Sequence, residues 1–160
     1  MDINWSYKNK SHVFDIKDST GVPYLSFKAL DDTGLAVNGF STRMGGASRG
    51  KFSTMNFSYS RGDAAEDVLE NFTRMAAALG VERDRMVVSH QTHTVNLRRV
   101  TQEDAGKGVV RERDYRDIDG LITDVPGLTL VTFYADCVPL YLLDPVNRAI
   151  AVSYTHLRAH

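Results

Sequence analysis

At 160 residues, with 42% apolar and 24% charged residues, the chain has the length and composition of one globular domain able to bury a core. Lys and Arg (19) nearly balance Asp and Glu (20), and the pairs Arg83/Arg85, Arg98/Arg99 and Arg111/Arg113 lie among acidic residues, so these read as solvated surface and nucleic-acid binding is excluded. One cysteine, Cys137, excludes an intrachain disulfide scaffold, and neither residues 1–13 nor the most apolar stretch, 127–143, carries the unbroken run of an export signal or membrane span, so a cytoplasmic location is expected.

Residues 11–43 read as strands joined by tight turns. Leu25, Phe27 and Ala29 alternate with Ser26 and Lys28, the sequence 31–34 (Asp-Asp-Thr-Gly) supplies a turn, and 35–42 forms the second strand of a hairpin. Residues 44–62 are rich in Gly and Ser without helical period, a loop long enough to suggest function. A helix follows: Asp63 is the expected N-cap with Glu66 completing a capping box, Val68, Phe72, Met75 and Leu79 keep helical spacing, and Gly80 sits where a C-terminal cap belongs.

Strands are then expected at 86–89 and 94–100, flanking His90-Gln91-Thr92-His93, with a polar surface excursion over 101–117. A short strand spans 119–123. Strands 128–134 and 140–143 are separated by a break at Ala135-Asp136-Cys137-Val138-Pro139, and 144–148 turns the chain into a last strand, 149–153. Strands dominate and few helices are available for crossovers, which predicts an α+β domain over 1–153 with mixed, largely antiparallel sheets.

Several residues invite a chemical reading. Residues 45–51 fit the first seven positions of a phosphate-binding P-loop, but the eighth, which must be Ser or Thr to hold Mg²⁺, is Phe52, so nucleoside triphosphate binding is rejected. The glycines still leave room for backbone amides to approach a ligand. Cys137, beside Asp136 at a strand break, is either a small buried hydrophobe or a thiolate that serves as nucleophile or metal ligand. His93 is either a surface residue or the imidazole partner of that thiolate; the pair suits zinc, although catalytic zinc takes three protein ligands. Arg43, ending a strand ahead of the glycine loop, is either a surface cation or an anion anchor.

Taken in order, five blocks resemble a known family. They are Phe40-Ser41-Thr42-Arg43-Met44-Gly45-Gly46 with Ser48, Gly50 and Asn56; Gly62-Asp63 with Asn71; Gln91-Thr92-His93; Asp119-Gly120-Leu121-Ile122-Thr123; and Ala135-Asp136-Cys137-Val138-Pro139 with Asp144. The chain thereby resembles the bacterial multicopper polyphenol oxidase (laccase-like) family, also called the peptidoglycan editing factor family, whose members are mostly regarded as purine nucleoside phosphorylases with adenosine deaminase activity.

The resemblance implies a four-layer α/β/β/α sandwich and a zinc site with His93 and Cys137 as two ligands; copper is the less favoured metal. It further implies Cys137, His93 and Asp136 as catalytic residues, Arg43, Ser41 and Asn56 as substrate-binding residues, and a purine nucleoside and inorganic phosphate as partners. The family's third ligand, a histidine opening a His-x-Gly-Trp-Arg-Gly block after the last strand, has Tyr154 in its place. Residues 154–160 are accordingly expected to be a non-native tail, the fold incomplete at its C-terminus and the chain inactive as it stands. The competing readings are a metal-free cysteine hydrolase using Cys137 and His93, a copper-dependent polyphenol oxidase, and a non-enzymatic zinc-stabilised binding module.

Overall fold

The computed structural model describes Ser6 and residues 12–155. Strand β1 (Phe14–Lys17) pairs antiparallel with β2 (Tyr24–Phe27), matching Phe14 to Phe27 and Ile16 to Leu25. The expected alternation through Ala29 fails, because the chain turns at once into a one-turn helix, α1 (Lys28–Asp31). The second hairpin strand shrinks to β3 (Phe40–Ser41), paired through Tyr24↔Ser41 and Leu25↔Phe40. Asn38 explains both departures. Its side chain accepts from Phe27 N at 2.7 Å and donates to Phe27 O and Asp31 Oδ1, taking the place of a strand partner at the end of β2.

Helix α2 (Ala65–Leu79) buries Val68, Phe72, Met75, Ala76 and Ala78 on one face, as its period predicts. Gly80, at φ 69°, ends it: Gly80 N–H reaches Ala77 O and Val81 N–H reaches Ala76 O, a Schellman arrangement. The expected capping box is not formed. The N-cap is Ala64, and Asp63 instead accepts from Ala64 N and Asn56 Nδ2, tying the helix start to the glycine loop. A capping box does form elsewhere, between Thr101 and Asp104.

The remaining strands are β4 (Met86–Val88), β5 (Leu97–Arg99), β6 (Gly120–Thr123), β7 (Thr129–Val131), β8 (Val138–Asp144) and β9 (Ala149–Thr155). β4 and β7 form a parallel pair, and a four-stranded sheet runs β5-β6-β9-β8 with β5 parallel to β6 and the other neighbours antiparallel. The architecture is α+β with mixed sheets, and antiparallel pairings outnumber parallel ones, as expected. α2 is the one helix longer than a single turn among the described residues, so these supply one of the two helical layers that the family resemblance implies.

β4 sits at the centre of the core because all three of its residues are apolar and buried. Met86 and Val88 pack with Val68, Phe72 and Ala76 of α2, while Val87 packs on the other side with Val100, Leu121 and Leu128. A third cluster joins Val22, Met55, Met75 and Ala78.

β8 begins at Val138 rather than Leu140 and takes in Pro139, which an edge strand tolerates because no ladder donor is required of it. Asp144 turns the chain by accepting from Val146 N, Asn147 N and Asn147 Nδ2. β9 then continues to Thr155, so Tyr154 and Thr155 belong to the strand. The rest of the expected tail, 156–160, lies outside the described residues.

The 101–117 excursion is not simply solvated surface. Asp104 and Lys107 are buried in it, and Asp104 accepts from Thr101 N, Arg98 Nη2 and Lys107 Nζ, which also reaches Asp114. Arg98 lies over the Tyr115 ring, so it is a tether between β5 and the excursion rather than the solvated cation expected. Among the described residues no helix is long and apolar enough to cross a membrane.

Candidate active site

Between β4 and β5 the chain leaves regular structure through His90-Gln91-Thr92-His93. His90 belongs to the scaffold: its Nδ1 accepts from Asp117 N and its backbone bridges to Ile118. His93 is exposed and holds a positive φ of 63°, a left-handed conformation uncommon for a residue other than glycine.

What holds that turn is Asp119, at the threshold of β6 and 2% exposed. Its Oδ1 accepts from Thr92 N at 3.0 Å and His93 N at 2.8 Å, and its Oδ2 from Thr94 N at 2.9 Å and Thr94 Oγ1 at 2.6 Å. The Tyr154 hydroxyl donates to Oδ1 as well. Burial pushes the Asp119 carboxyl up, but the Thr94 and Tyr154 hydroxyls and the backbone amides together outweigh it and hold the group down at about 2. Burial and the neighbouring Asp119 push Tyr154 up to about 12, so at neutral pH it is a phenol that donates.

Two contacts bring the Cys137 segment to this end of the sheet. Gln91 exchanges two hydrogen bonds with the backbone of Phe133, four residues ahead of Cys137. Tyr154, cross-strand from Pro139 in β9, sets its ring edge-on against the His93 imidazole, with centroids 5.9 Å apart. Cys137 is half-buried and free, and Asp136 beside it is exposed.

Among the described residues no group of three or more His, Cys, Asp or Glu side chains could hold a metal ion. A thiol and an imidazole are donors that zinc accepts, yet the three protein ligands of a catalytic zinc are not assembled by these residues. Tyr154, in place of the third ligand that the resemblance implies, is engaged with Asp119.

The residues expected to bind substrate gather elsewhere. Ser41, Arg43 and Asn56 line one groove together with Phe133 and Tyr134; His93, Asp136 and Cys137 do not line it. Arg43 is exposed, with Nη2 tethered to Ser53 O at 3.0 Å. Asn56 is spent on the loop itself, donating to Asp63 and Ser58 O and accepting from Ser58 N. A run of aromatic rings connects the two regions: Phe40, next to Ser41, stacks with Tyr134 at 5.9 Å, Tyr134 meets Tyr154 at 6.1 Å, and Tyr154 meets His93.

Two glycines of the loop are required by close backbone approaches. A Cβ at Gly46 would lie 2.0 Å from Thr54 O, and one at Gly45 2.3 Å from Gly21 O. Residues 50–52 form a single 3₁₀ turn and open no helix, in keeping with rejection of the P-loop. Buried Asn71 of α2 secures the loop: Oδ1 accepts from Ala47 N, and Nδ2 donates to Ser48 Oγ and Asn56 O.

Gln91 and Asp119 stand in the sequence blocks and Tyr154 at the third-ligand position, but the sequence does not reveal that they shape the site. The available signal was weak: an Asp-Gly pair opening a strand, and Thr on either side of a lone His.

A profile of the family described as multi-copper polyphenol oxidoreductase laccase matches residues 37–156. A purine nucleoside phosphorylase YlmD of Geobacillus stearothermophilus is 34% identical over 127 residues, covering 77% of this chain and 45% of its own length. The purine nucleoside phosphorylase YlmD of Bacillus subtilis is 33% identical over 122 residues, covering 74% and 43%. Among solved structures, the Bacillus licheniformis hypothetical protein YfiH superposes with a TM-score of 0.79 at 29% identity, covering 90% of this chain and 52% of that one. The chain spans about half the length of the curated relatives it matches.

Proposed function

Since the chain belongs to the multi-copper polyphenol oxidoreductase laccase family, we propose that it contributes the phosphate- and nucleoside-binding part of a purine nucleoside phosphorylase. The support is the naming of its relatives, together with one observation: Arg43 lines the same groove as Ser41 and Asn56. Inorganic phosphate, held by the guanidinium, attacks ribose C1′. A C1′–O bond to phosphate forms as the C1′–N9 bond breaks, and the purine departs with the bonding pair and takes up a proton. That proton comes from solvent, since Asp136, the expected proton-exchange residue, does not line this groove. Adenosine, inosine and guanosine are the expected substrates, with methylthioadenosine a further one.

Deamination of adenosine, in which water adds to C6 and ammonia leaves, is assigned to the His93–Cys137 end of the sheet. The zinc that the family resemblance implies would polarise that water when bound at His93 and Cys137. Among the described residues no three such donors are assembled.

The test is a chimera in which residues 37–153 replace the matching half of the Geobacillus stearothermophilus relative. A folded chimera is expected to release purine from inosine only when phosphate is present, and Arg43→Ala to raise the KM for phosphate far more than that for inosine. A chimera folded by circular dichroism that releases no purine would overturn the reading.

A further inference from the structure

We propose that Asp119 is the positioning residue for His93. Its carboxylate gathers the amides of three consecutive residues, 92 to 94, onto two oxygens 2.8–3.0 Å away, and the middle one carries the imidazole. Amides of consecutive residues in an extended strand alternate in direction. They converge on one acceptor here because the backbone at His93 is left-handed. The acceptor and the backbone conformation therefore require each other.

Asp119 is itself fixed from behind. Its N–H donates to Asn96 O at 2.9 Å, and Gly120 N–H donates to the same oxygen at 3.2 Å, so the carboxylate enters from a pinned strand end. At 2% exposure, water is not at hand to replace it. A carboxylate is needed rather than an amide, since an asparagine would accept at one oxygen and turn an NH₂ toward donors on the other side. The Tyr154 hydroxyl binds this carboxylate while its ring meets His93, so one buried group sets both the backbone and one wall around the imidazole.

The inference rests on reading His93 as a site residue, and the experiment separates the two. In the isotopically labelled 160-residue protein, Asp119→Asn is expected to speed amide hydrogen exchange at Thr92, His93 and Thr94 about tenfold or more, while Val87 and Val88 keep their protection. The His93 ring resonances should move with it, whereas Asp104→Asn, which removes a buried carboxylate elsewhere, should leave them in place. In the chimera described above, Asp119→Asn should lower kcat for adenosine deamination with the KM for phosphate in phosphorolysis unchanged. Unaltered exchange and ring resonances at His93 would overturn the assignment, as would an unchanged deamination kcat in a chimera that deaminates adenosine. An inactive parent chimera would count against the phosphorylase reading alone, and the resonances would then decide. Should Asp119→Asn not fold, rapid exchange of the His93 amide in the folded wild-type protein would equally refute the assignment.

Discussion

The side-chain amide of Gln91 pairs with the backbone of Phe133 as a peptide group would, donating from Nε2 to the carbonyl at 2.7 Å and accepting at Oε1 from the N–H at 2.7 Å. This one residue fastens the His93 loop to the stretch that leads into Cys137, across 42 positions of sequence. Gln91→Ala removes both bonds and is expected to lower stability by about 1–2 kcal/mol. It should also speed the reaction of Cys137 with an aromatic disulfide reagent, because the segment ahead of the thiol loses its anchor. An unchanged urea midpoint and thiol reactivity would show that the pairing does not hold the two segments together.

Asp104 supplies a stability with a defined pH window. Burial pushes its carboxyl up, but Lys107, the Thr101 N–H and Arg98 outweigh burial and bring it from 3.8 to about 2. A group depressed on folding stabilises the protein above its unfolded value and loses that contribution as pH falls through the folded value. The loss here runs from about pH 4 to about pH 2 and amounts to about 2 kcal/mol. Asp104→Asn leaves buried Lys107 with exposed Asp114 as its charge partner and should cost about 2–3 kcal/mol at neutral pH while flattening acid unfolding across that window. Urea midpoints at pH 7, 4 and 2.5 test this. Parallel pH curves for wild type and variant would refute it.

These two residues also mark what could be read from the sequence. Helix α2 was legible because Val68, Phe72 and Met75 repeat at helical spacing and Gly80 closes it, all of it local. β8 and β9 were legible through the turn chemistry at Asp144, with ends off by about two residues. The Gln91–Phe133 pairing, the convergence on Asp119 and the tether from Arg98 to Asp104 leave no periodic trace, since each joins polar side chains to groups fixed by tertiary structure. The failed hairpin at 35–39 has the same cause: Asn38 satisfies Phe27 with its side chain, which no alternation of apolar residues reports.

Asn71 joins the glycine loop to α2 from a fully buried position with three hydrogen bonds of 2.6–2.8 Å. Asn71→Leu keeps the branched side-chain shape but strands Ala47 N–H, Ser48 Oγ and Asn56 O without their Asn71 partner. A loss of about 2–3 kcal/mol is expected, with new proteolytic cleavage inside 44–62 under conditions where wild type resists. Cleavage confined to other loops would indicate that the glycine loop is held by something else.

Tyr154 offers a direct test of the metal reading. It occupies the position where the family resemblance expects a histidine ligand, its ring lies 5.9 Å from the His93 imidazole, and its strand partner Pro139 is two residues from Cys137. With only an imidazole and a thiolate available, the wild-type chain should bind zinc weakly, the remaining positions falling to water. Tyr154→His adds the third donor at that place and should tighten zinc binding about tenfold to a hundredfold, measured by competition with a chromophoric chelator. The same change removes the hydroxyl that donates to Asp119, so the metal-free variant should be less stable than wild type, by about 1 kcal/mol, and zinc should more than restore it. Double variants sharpen the outcome: His93→Ala or Cys137→Ser in the Tyr154→His background should each abolish the gain. If Tyr154→His binds zinc no better than wild type while remaining folded, His93 and Cys137 do not form a zinc site in this fold, and the assignment of metal chemistry to this end of the sheet fails with them.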